Sequence, residues 1–378
     1  MNTRICIYIH DLRCGGAERV AAVLAAGLLE QGYEVTLMTS RGSEAPFYEL
    51  PDGVQIMPLN IVTEDGSLGG RLKTMMRAVY IVKEELKRIR PDVVIGFMTE
   101  ANIVAVLAGR IFGRFSGRII GTEHVHPAFT PWSVPARLLR MVLFPLLDAV
   151  VPVSSSLSGW YKRWLAKKKV YTITNPVVLD DKKKEDSRAT ACVSDMVNAK
   201  WVLAMGRLHS QKGFDNLLEA FASIPETVRN GWKLGIIGEG DERDNLCEYI
   251  KTLHLENEVV LFGRFYDPFP VLRNGELFCL SSRYEGFAIA LAEAMACGLP
   301  AVAYDCPSGP ADIIRDSIDG LLVPANDIDK LKEALTALMK DSGRREKMAQ
   351  KAPEVLERFN RTEYVNKWCD LLEKLCAE

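Results

Sequence analysis

The stretch Ser281-Ser282-Arg283-Tyr284-Glu285-Gly286-Phe287-Ala288-Ile289-Ala290-Leu291-Ala292-Glu293-Ala294-Met295-Ala296-Cys297-Gly298-Leu299-Pro300 decides the architecture. The run 276–282 leading into it has the length and apolar content of a buried strand. Ala and Leu dominate 287–297, and Gly298 followed by Pro300 stops a helix. A buried strand feeding directly into a helix is the repeating unit of a parallel sheet covered on both faces.

The same alternation continues outward from this stretch. Strands are expected at 201–205, 233–237, 259–262, 277–280, 301–304 and 321–323. Helices are expected at 214–224, 242–253, 268–274, 287–297, 309–316 and 328–340. Residues 176–199 break the rhythm with Asp180-Asp181-Lys182-Lys183-Lys184-Glu185-Asp186-Ser187 and read as a linker. Ahead of them a second series is expected, with strands at 4–12, 34–40, 54–59, 92–98, 118–124, 149–154 and 170–174. Its helices fall at 17–32, 71–90, 101–112, 135–147 and 157–168. The expected organisation is an α/β chain of two doubly wound domains, 1–175 and 200–360, joined by the linker 176–199. A helix in 361–378 lies beyond the last strand and is expected to pack back on the first domain. Ligands of such sheets sit outside the carboxyl ends of the strands. Two domains facing each other would bring those ends to one cleft.

A chain of 378 residues suits two domains. Nearly half of it is apolar and a quarter charged, the balance of a soluble globular protein. Its net charge of −2 hides an asymmetry. Residues 1–179 hold 21 Lys/Arg against 15 Asp/Glu, or +6; the remainder holds 26 against 34, or −8. A basic first half favours an anionic substrate or surface, or is simply solvated. The nine cysteines form no Cys-x-x-Cys pair and no Cys/His group with metal spacing. A reduced, cytoplasmic protein is expected. The N-terminus runs straight into a strand pattern, unlike a signal peptide. The most apolar stretch, 141–153, contains Pro145, Asp148 and Pro152 and falls short of the roughly 20 residues that span a bilayer.

Several strand ends carry residues suited to binding. Glu285 and Glu293 stand eight positions apart, one in the loop and one in the helix, where each can accept hydrogen bonds from hydroxyl groups. The helix start offers free amides and a positive dipole to an anion. Arg207 and Lys212 punctuate Gly206-Arg207-Leu208-His209-Ser210-Gln211-Lys212-Gly213 at another strand end, where two cations can neutralise a diphosphate. Gly238-Glu239-Gly240 and Gly263-Arg264-Phe265 close two more strands and let a ligand approach backbone. Gly15-Gly16-Ala17-Glu18-Arg19 opens the first helix, but it is not Gly-x-Gly-x-x-Gly, and no acid follows the second strand. A nicotinamide dinucleotide site is therefore disfavoured. Gly121-Thr122-Glu123-His124-Val125-His126-Pro127 places His124 where it can hydrogen-bond a sugar or relay a proton. Asp305-Cys306-Pro307-Ser308-Gly309-Pro310 reads as a rigid wall. Cations grouped with carboxylates suit a ligand that is both phosphorylated and polyhydroxylated, as a nucleotide-sugar is. The stretch 160–169 sets Trp160, Tyr161 and Trp164 among five cations, and Arg110, Arg114, Arg118, Arg137 and Arg140 add to the basic surface. Such a segment suits anionic lipid, or is a solvated helix face. Nothing resembles a nucleic-acid recognition motif.

Taken in order and spacing, Gly-Gly-Ala-Glu-Arg at 15–19, Gly-Arg-x5-Gly at 206–213, Gly-Glu-Gly at 238–240 and Glu-x7-Glu at 285–293 resemble the retaining glycosyltransferases of family 4. The resemblance covers the whole chain. The loop at 305–310 looks like bacterial members that build lipid-linked oligosaccharides, O-antigens and capsules, including N-glycan-pathway N-acetylgalactosamine transferases. The resemblance implies a GT-B fold and transfer of GalNAc, GlcNAc, Gal or Glc from a UDP-sugar. The acceptor it implies is a glycan hydroxyl on a polyprenyl-diphosphate-linked or other glycolipid. It implies that Arg207 and Lys212 hold the diphosphate, that Glu293 binds the ribose, and that Glu285 with Gly286, Phe287 and Ala288 contacts the transferred sugar. Gly15 and Gly16 would lie near the donor phosphate and acceptor, His124 near the sugar, and Gly238, Glu239, Arg264 and Phe265 along the nucleoside. No metal or other cofactor is implied, and substitution would occur on the front face without a protein nucleophile. The basic ruler helix of the oligosaccharide-building relatives has no counterpart that aligns here. The enzyme would be cytoplasmic and peripheral to the inner membrane surface. Two other readings stay open: a GT-B nucleotide-sugar 2-epimerase, and a non-catalytic nucleotide-sugar-binding protein.

Overall fold

A computed structural model describes residues 3–377 apart from 14, 43–45, 62–66, 131–133 and 180–185. The chain divides into two compact units, Met1–Pro176 with Arg361–Glu378, and Val177–Asn360.

In the first unit the strands are Arg4–Ile9 (β1), Glu34–Thr39 (β2), Gln55–Pro58 (β3), Val93–Phe97 (β4), Arg118–Glu123 (β5) and Ala149–Pro152 (β6). All pair in parallel, in the order β3-β2-β1-β4-β5-β6. β1 and β4 are central and buried almost throughout, because helices cover both faces of the sheet. β3, at the edge, is largely exposed and ends at Pro58, which no further strand needs as a donor. The helix Leu68–Ile89 starts on Ser67, whose hydroxyl accepts from Gly70 N at 3.0 Å, and stops at Arg90 in left-handed conformation (φ 47°) just before Pro91. It covers one face of the sheet with Val79, Val82 and Leu86.

The second unit repeats the plan. Its strands are Lys200–Met205 (β7), Trp232–Ile237 (β8), Val259–Gly263 (β9), Leu277–Leu280 (β10), Ala301–Asp305 (β11) and Gly320–Pro324 (β12), all parallel in the order β12-β11-β10-β7-β8-β9. Each sheet therefore reverses its winding once, between β1 and β4 and between β7 and β10. At such a reversal the loops leaving two adjacent strands turn to opposite faces and open a crevice. A register shift between Ile236 and Ile237 brings Gly263 opposite Ile237.

The segment expected as a linker, 176–199, contains the helix Ser187–Met196. Asp186 caps it, and its other carboxylate oxygen accepts from Tyr266 N at 2.7 Å. Ala189 and Met196 are fully buried, so the helix is part of the second unit rather than a spacer. Only two apolar side chains anchor it, too few to give a periodic pattern. The acidic and basic run at 180–185 lies outside the described residues. The expected strand at 170–174 makes one bridge, Val170 to Val150, and two backbone hydrogen bonds to β6 before Pro176, and does not extend the sheet. The helix expected at 157–168 ends at Tyr161, since Leu165 turns inward and a separate 3-10 turn forms at Lys167–Lys169.

The helix Arg361–Ala377 belongs to the first unit and packs on the helix Gly16–Glu30. Gly27 lets the two backbones approach, because a Cβ there would collide with the Val365 methyls. Arg361 adds a bidentate pair to Glu30 at 2.8 and 2.7 Å. Gly27→Ala is expected to destabilise the protein by about 1–3 kcal/mol through overpacking, although the helix propensity of Ala favours it by about 1 kcal/mol. Val365→Ala in the same chain recovers part of the loss, and urea unfolding of the two single variants and the double variant measures the coupling.

Candidate functional site

The reversal between β7 and β10 is where chemistry gathers in the second unit. β7 delivers Gly206 and Arg207; the chain then makes a 3-10 turn at Ser210–Lys212 capped by His209, whose Nδ1 accepts from Gln211 N at 3.1 Å. Gly213 leaves the turn with φ 60°, and any side chain there would strike Ser281 O. This approach brings Lys212 to the loop after β10. Lys212 Nζ donates to Glu285 Oε1 at 2.6 Å, and Ser282 Oγ donates to the same oxygen at 2.7 Å. The Lys212 stem lies across Gly206. Gln211 Nε2 donates to Tyr284 O, Arg283 N to Gln211 O, and Ser281 Oγ to Lys212 O. Arg283 also forms a fork with Asp215 at 3.0 and 2.6 Å. Burial works against the Asp215 charge, but Arg283 prevails and holds the carboxyl below its ordinary value. Two loops 70 residues apart in sequence are thus stitched by both backbone and side chain. Arg207 stands exposed at the end of β7 with no ion-pair partner among the described residues. A half-buried lysine paired with a buried glutamate, beside an Arg with no ion-pair partner among the described residues, is a place where an anion can displace the carboxylate from a ready-made cation.

The neighbouring strand ends complete this edge. Gly238 (φ 148°) closes β8 against Gly206, where a Cβ would hit Gly206 O. Leu208 N donates to Glu239 O, and the Glu239 side chain pairs with Arg243 at 2.9 Å. Arg264 is exposed after β9; Phe265 is buried beneath Arg188 and against Phe262. Beyond Glu285, Phe287 is buried on Phe359. Ala288 then turns left-handed (φ 61°) to start the helix Ile289–Ala296, which carries the buried Glu293 in its second turn. Ser308 and Gly309 also have positive φ, and a Cβ at Gly309 would press on the Phe287 backbone. Backbone strain at three neighbouring positions is the kind retained where a helix start must be aimed. Arg207, Lys212, Gly238, Glu239, Arg264, Phe265, Glu285, Gly286, Phe287 and Ala288 lie on loops or turns following β7, β8, β9 and β10, and Glu293 in the second turn of the helix after β10. The spacing of charges did not single out Ser282, Arg283 and Asp215, which position the others; their signal was their adjacency to Glu285 and Gly213.

In the first unit, Gly15 is extended (φ −175°) and caps the helix Gly16–Glu30. A Cβ at Gly15 would meet the Glu18 carboxylate, and Tyr48 Oη donates to Gly15 O at 3.1 Å. His124 follows β5, stacked on Phe97 at 5.1 Å. Its Nε2 is 3.0 Å from Thr122 Oγ1, whose own proton goes to Gly96 O at 3.0 Å. Thr122 can then only accept, so the network assigns the proton to Nε2 and leaves Nδ1 as a lone-pair acceptor with no partner. Desolvation holds this imidazole well below its ordinary value, so it is neutral at pH 7. Beside it Glu123, missed in the sequence, is buried in a cage of donors: Tyr161 Oη at 2.6 Å, Asn102 Nδ2 at 2.9 Å and Thr99 Oγ1 at 2.9 Å. Burial pushes its carboxyl up to about 7, against these hydrogen bonds and the nearby Arg140 charge, which all favour the anion. His126 is buried beside Trp160 and Phe129.

The aromatic stretch expected to lie on lipid is instead internal. Trp160 packs under Arg140 at 5.0 Å, Tyr161 is fully buried on Phe144, and Trp164 stacks near both. Arg140 is buried, and Arg110 is bound to Asp148 and two carbonyls, so neither adds to the basic surface. The exposed apolar stripe belongs to the helix Val134–Leu143 and the turn after it: Val134, Leu138, Met141, Val142 and Leu146. Among the described residues no helix is long and apolar enough to cross a membrane, and no group of His, Cys, Asp or Glu is arranged to hold a metal ion.

The raised Glu123 value carries a sign. An acid that keeps its proton in the fold contributes stability that is full below the unfolded value near 4.5 and is lost as pH rises through about 7. Glu123→Gln is expected to flatten that decline, and denaturation at a series of pH values from 4.5 to 8 measures it; an unchanged slope would contradict the burial argument.

Residues 196–355 match the sequence pattern of the family described as Glycosyl transferases group 1, and residues 14–181 that of Glycosyltransferase Family 4. The chain is 30% identical to the amylovoran biosynthesis glycosyltransferase AmsD of Erwinia amylovora, over 95% of its own length and 96% of the relative's. It is 27% identical to a Campylobacter jejuni GalNAc-alpha-(1->4)-GalNAc-alpha-(1->3)-diNAcBac-PP-undecaprenol alpha-1,4-N-acetyl-D-galactosaminyltransferase, over 98% and 99%. The fold is like that of Anabaena Alr3699/HepE, solved in complex with UDP and glucose, with a TM-score of 0.78, 19% identity and coverage of 98% and 100%. With two parallel sheets of this winding and relatives matched along nearly their whole length, the chain belongs to the group 1, family 4 glycosyltransferases and has the GT-B fold.

Proposed function

We propose that the enzyme is a retaining, metal-independent transferase that moves a sugar from a UDP-sugar to a glycan hydroxyl of a polyprenyl-diphosphate-linked or other glycolipid acceptor. The observation that carries the donor assignment is the Lys212–Glu285 pair at 2.6 Å beside the unpaired Arg207. A diphosphate placed there meets two cations at a strand-end crevice, and Glu285 is released to hydrogen-bond the sugar. Glu293 accepts from the ribose hydroxyls. His124, at the end of β5, is the first unit's candidate for contact with the transferred sugar. In the step itself the bond between the anomeric carbon and the diphosphate oxygen breaks, and the acceptor oxygen bonds that carbon on the same face. The acceptor's proton passes to the departing phosphate oxygen, giving UDP. The cations stabilise the charge that grows on that oxygen. UDP is favoured because the Anabaena protein was solved with it; a lipid-linked acceptor is favoured by the undecaprenol-linked substrate in the Campylobacter enzyme's name.

Lys212→Ala is expected to lower kcat by roughly 100- to 1,000-fold; because it leaves the buried Glu285 without its cation, it also lowers the melting temperature, and activity is read well below the variant's own transition. Glu285→Gln should act in the same direction, since it removes both the pair and the sugar contact. Release of UDP should require the acceptor. Release without any acceptor would instead point to an epimerase or hydrolase, and full activity of Lys212→Ala would sink the diphosphate assignment.

Association with the inner membrane surface is part of the same reading. The exposed stripe Val134, Leu138, Met141, Val142 and Leu146 gives an apolar face, and the exposed Arg137, Lys162, Arg163, Lys167 and Lys168 give charge for anionic lipid. Leu138→Glu with Val142→Glu is expected to abolish cosedimentation with anionic vesicles while leaving transfer to a short soluble acceptor intact.

A further inference from the structure

At the end of the first sheet opposite its ligand-binding edge lies a cavity of about 890 Å³. The start of β1, the residue before β4, the start of β5, the last turns of the helix Leu68–Ile89 and the loop at 113–117 enclose it. Arg4, Lys83, Lys87, Arg90, Arg114 and Arg118 line it, and among the described residues Asp92 is the one acid on its wall. The pairing of these cations is incomplete. Arg4 sits 3.6 Å from Asp92. Lys83 and Lys87 share Glu84, at 3.4 and 2.8 Å. Arg118 shares Asp148 with Arg110, at 3.4 and 2.6 Å. Arg90 and Arg114 have no ion-pair partner among the described residues. Counting Arg110 with the six lining cations, seven cations among the described residues stand against the three carboxylates Asp92, Glu84 and Asp148, a surplus of four.

The wall is built in advance. Arg110 donates to Phe115 O at 2.6 Å and to Gly117 O at 2.9 Å, which holds the loop bearing Arg114. A Cβ at Gly113 would strike Ala108 O and one at Gly117 would strike Asp92 O, so the loop has one path. Arg90 ends the helix Leu68–Ile89 in left-handed conformation and lines the cavity. Holding unpaired guanidinium groups around one concavity costs repulsion that nothing in the fold requires; an anion removes it. A surplus of four charges matches a diphosphate, and guanidinium groups bind phosphate oxygens in pairs. Leu86, Pro91 and Phe115 supply an apolar wall for the rest of the molecule.

We propose that this cavity is a second anion site that takes a diphosphate-bearing molecule, either a soluble nucleotide or the head of a polyisoprenyl-diphosphate lipid. It is separate from the strand ends that bear the donor-binding residues, and it does not depend on the assignment of those residues.

The test is calorimetric titration of inorganic pyrophosphate into the full chain at fixed ionic strength. Arg90→Asn with Arg114→Gln removes the unpaired cations; Asn tolerates the left-handed backbone at 90. This double variant is expected to lose one class of binding, by about tenfold or more in affinity. Lys212→Ala should keep that class. Lys73→Gln with Arg77→Gln, which removes two exposed charges elsewhere on the same helix, should also keep it. Unchanged stoichiometry and affinity in the Arg90/Arg114 variant would overturn the proposal, as would an equal loss in the Lys73/Arg77 control. Equal melting temperatures without pyrophosphate separate loss of the site from loss of the fold. If Lys212→Ala alters no class of binding, the donor assignment fails and the second site stands. A second arm uses neutral vesicles carrying a polyisoprenyl diphosphate. Sedimentation that depends on Arg90 and Arg114 identifies the lipid head, and its absence alongside retained pyrophosphate binding identifies a soluble diphosphate.

Discussion

The contact between Lys212 and Glu285 organises the second unit's ligand edge. Two charges withdrawn from water cost several kcal/mol each unless partners surround them. Here Ser282 shares the carboxylate, Ser281 and Gln211 tie the two loops together, and the Arg283–Asp215 fork braces them from outside. The glycines follow from that geometry. Gly213 lets the loop turn beneath Ser281, and Gly206 gives the lysine stem room to cross. The pair holds the lysine stem and head in one place, so a phosphate that took over the lysine would gain from preorganisation rather than from new order.

The first unit solves a different electrostatic problem. Its ligand edge after β5 holds a neutral imidazole with one free lone pair, and behind it a buried carboxyl that keeps its proton more readily than usual. Thr122 fixes the tautomer of His124; Tyr161, Asn102 and Thr99 fix Glu123. The second unit thus carries cations at its strand ends, while the first carries a neutral imidazole there. Trp160, Tyr161 and Trp164 serve this arrangement from below by packing on Arg140 and Phe144. Their inward packing leaves the helix Val134–Leu143 to carry the apolar surface.

Much of the fold was legible because buried parallel strands such as β1, β4, β6 and β10 are nearly continuous apolar runs. The candidate site residues stood out where glycine and charge coincide at a strand end, as at Gly206-Arg207 and Glu285-Gly286. Glu123 was not, because a carboxylate at the end of an apolar strand looks like a solvated loop acid until Asn102 and Tyr161 arrive from elsewhere in the chain. The helix Ser187–Met196 was hidden for the opposite reason: two buried side chains and an Asp186 cap hold it, and neither makes a pattern. Arg140 read as surface charge because sequence does not reveal that Trp160 covers it.

Local preference was enough to determine that this chain alternates strand and helix, where most helices stop, and which loops are rich in glycine and charge. These follow from side-chain periodicity and backbone freedom over a few residues. The winding order of each sheet, the meeting of Lys212 with Glu285, the proton position on His124 and the unshared cations around the cavity at Arg90 and Arg114 were decided only in three dimensions. Each depends on groups tens of residues apart whose charges and hydrogen bonds have meaning only once packing has removed the water between them.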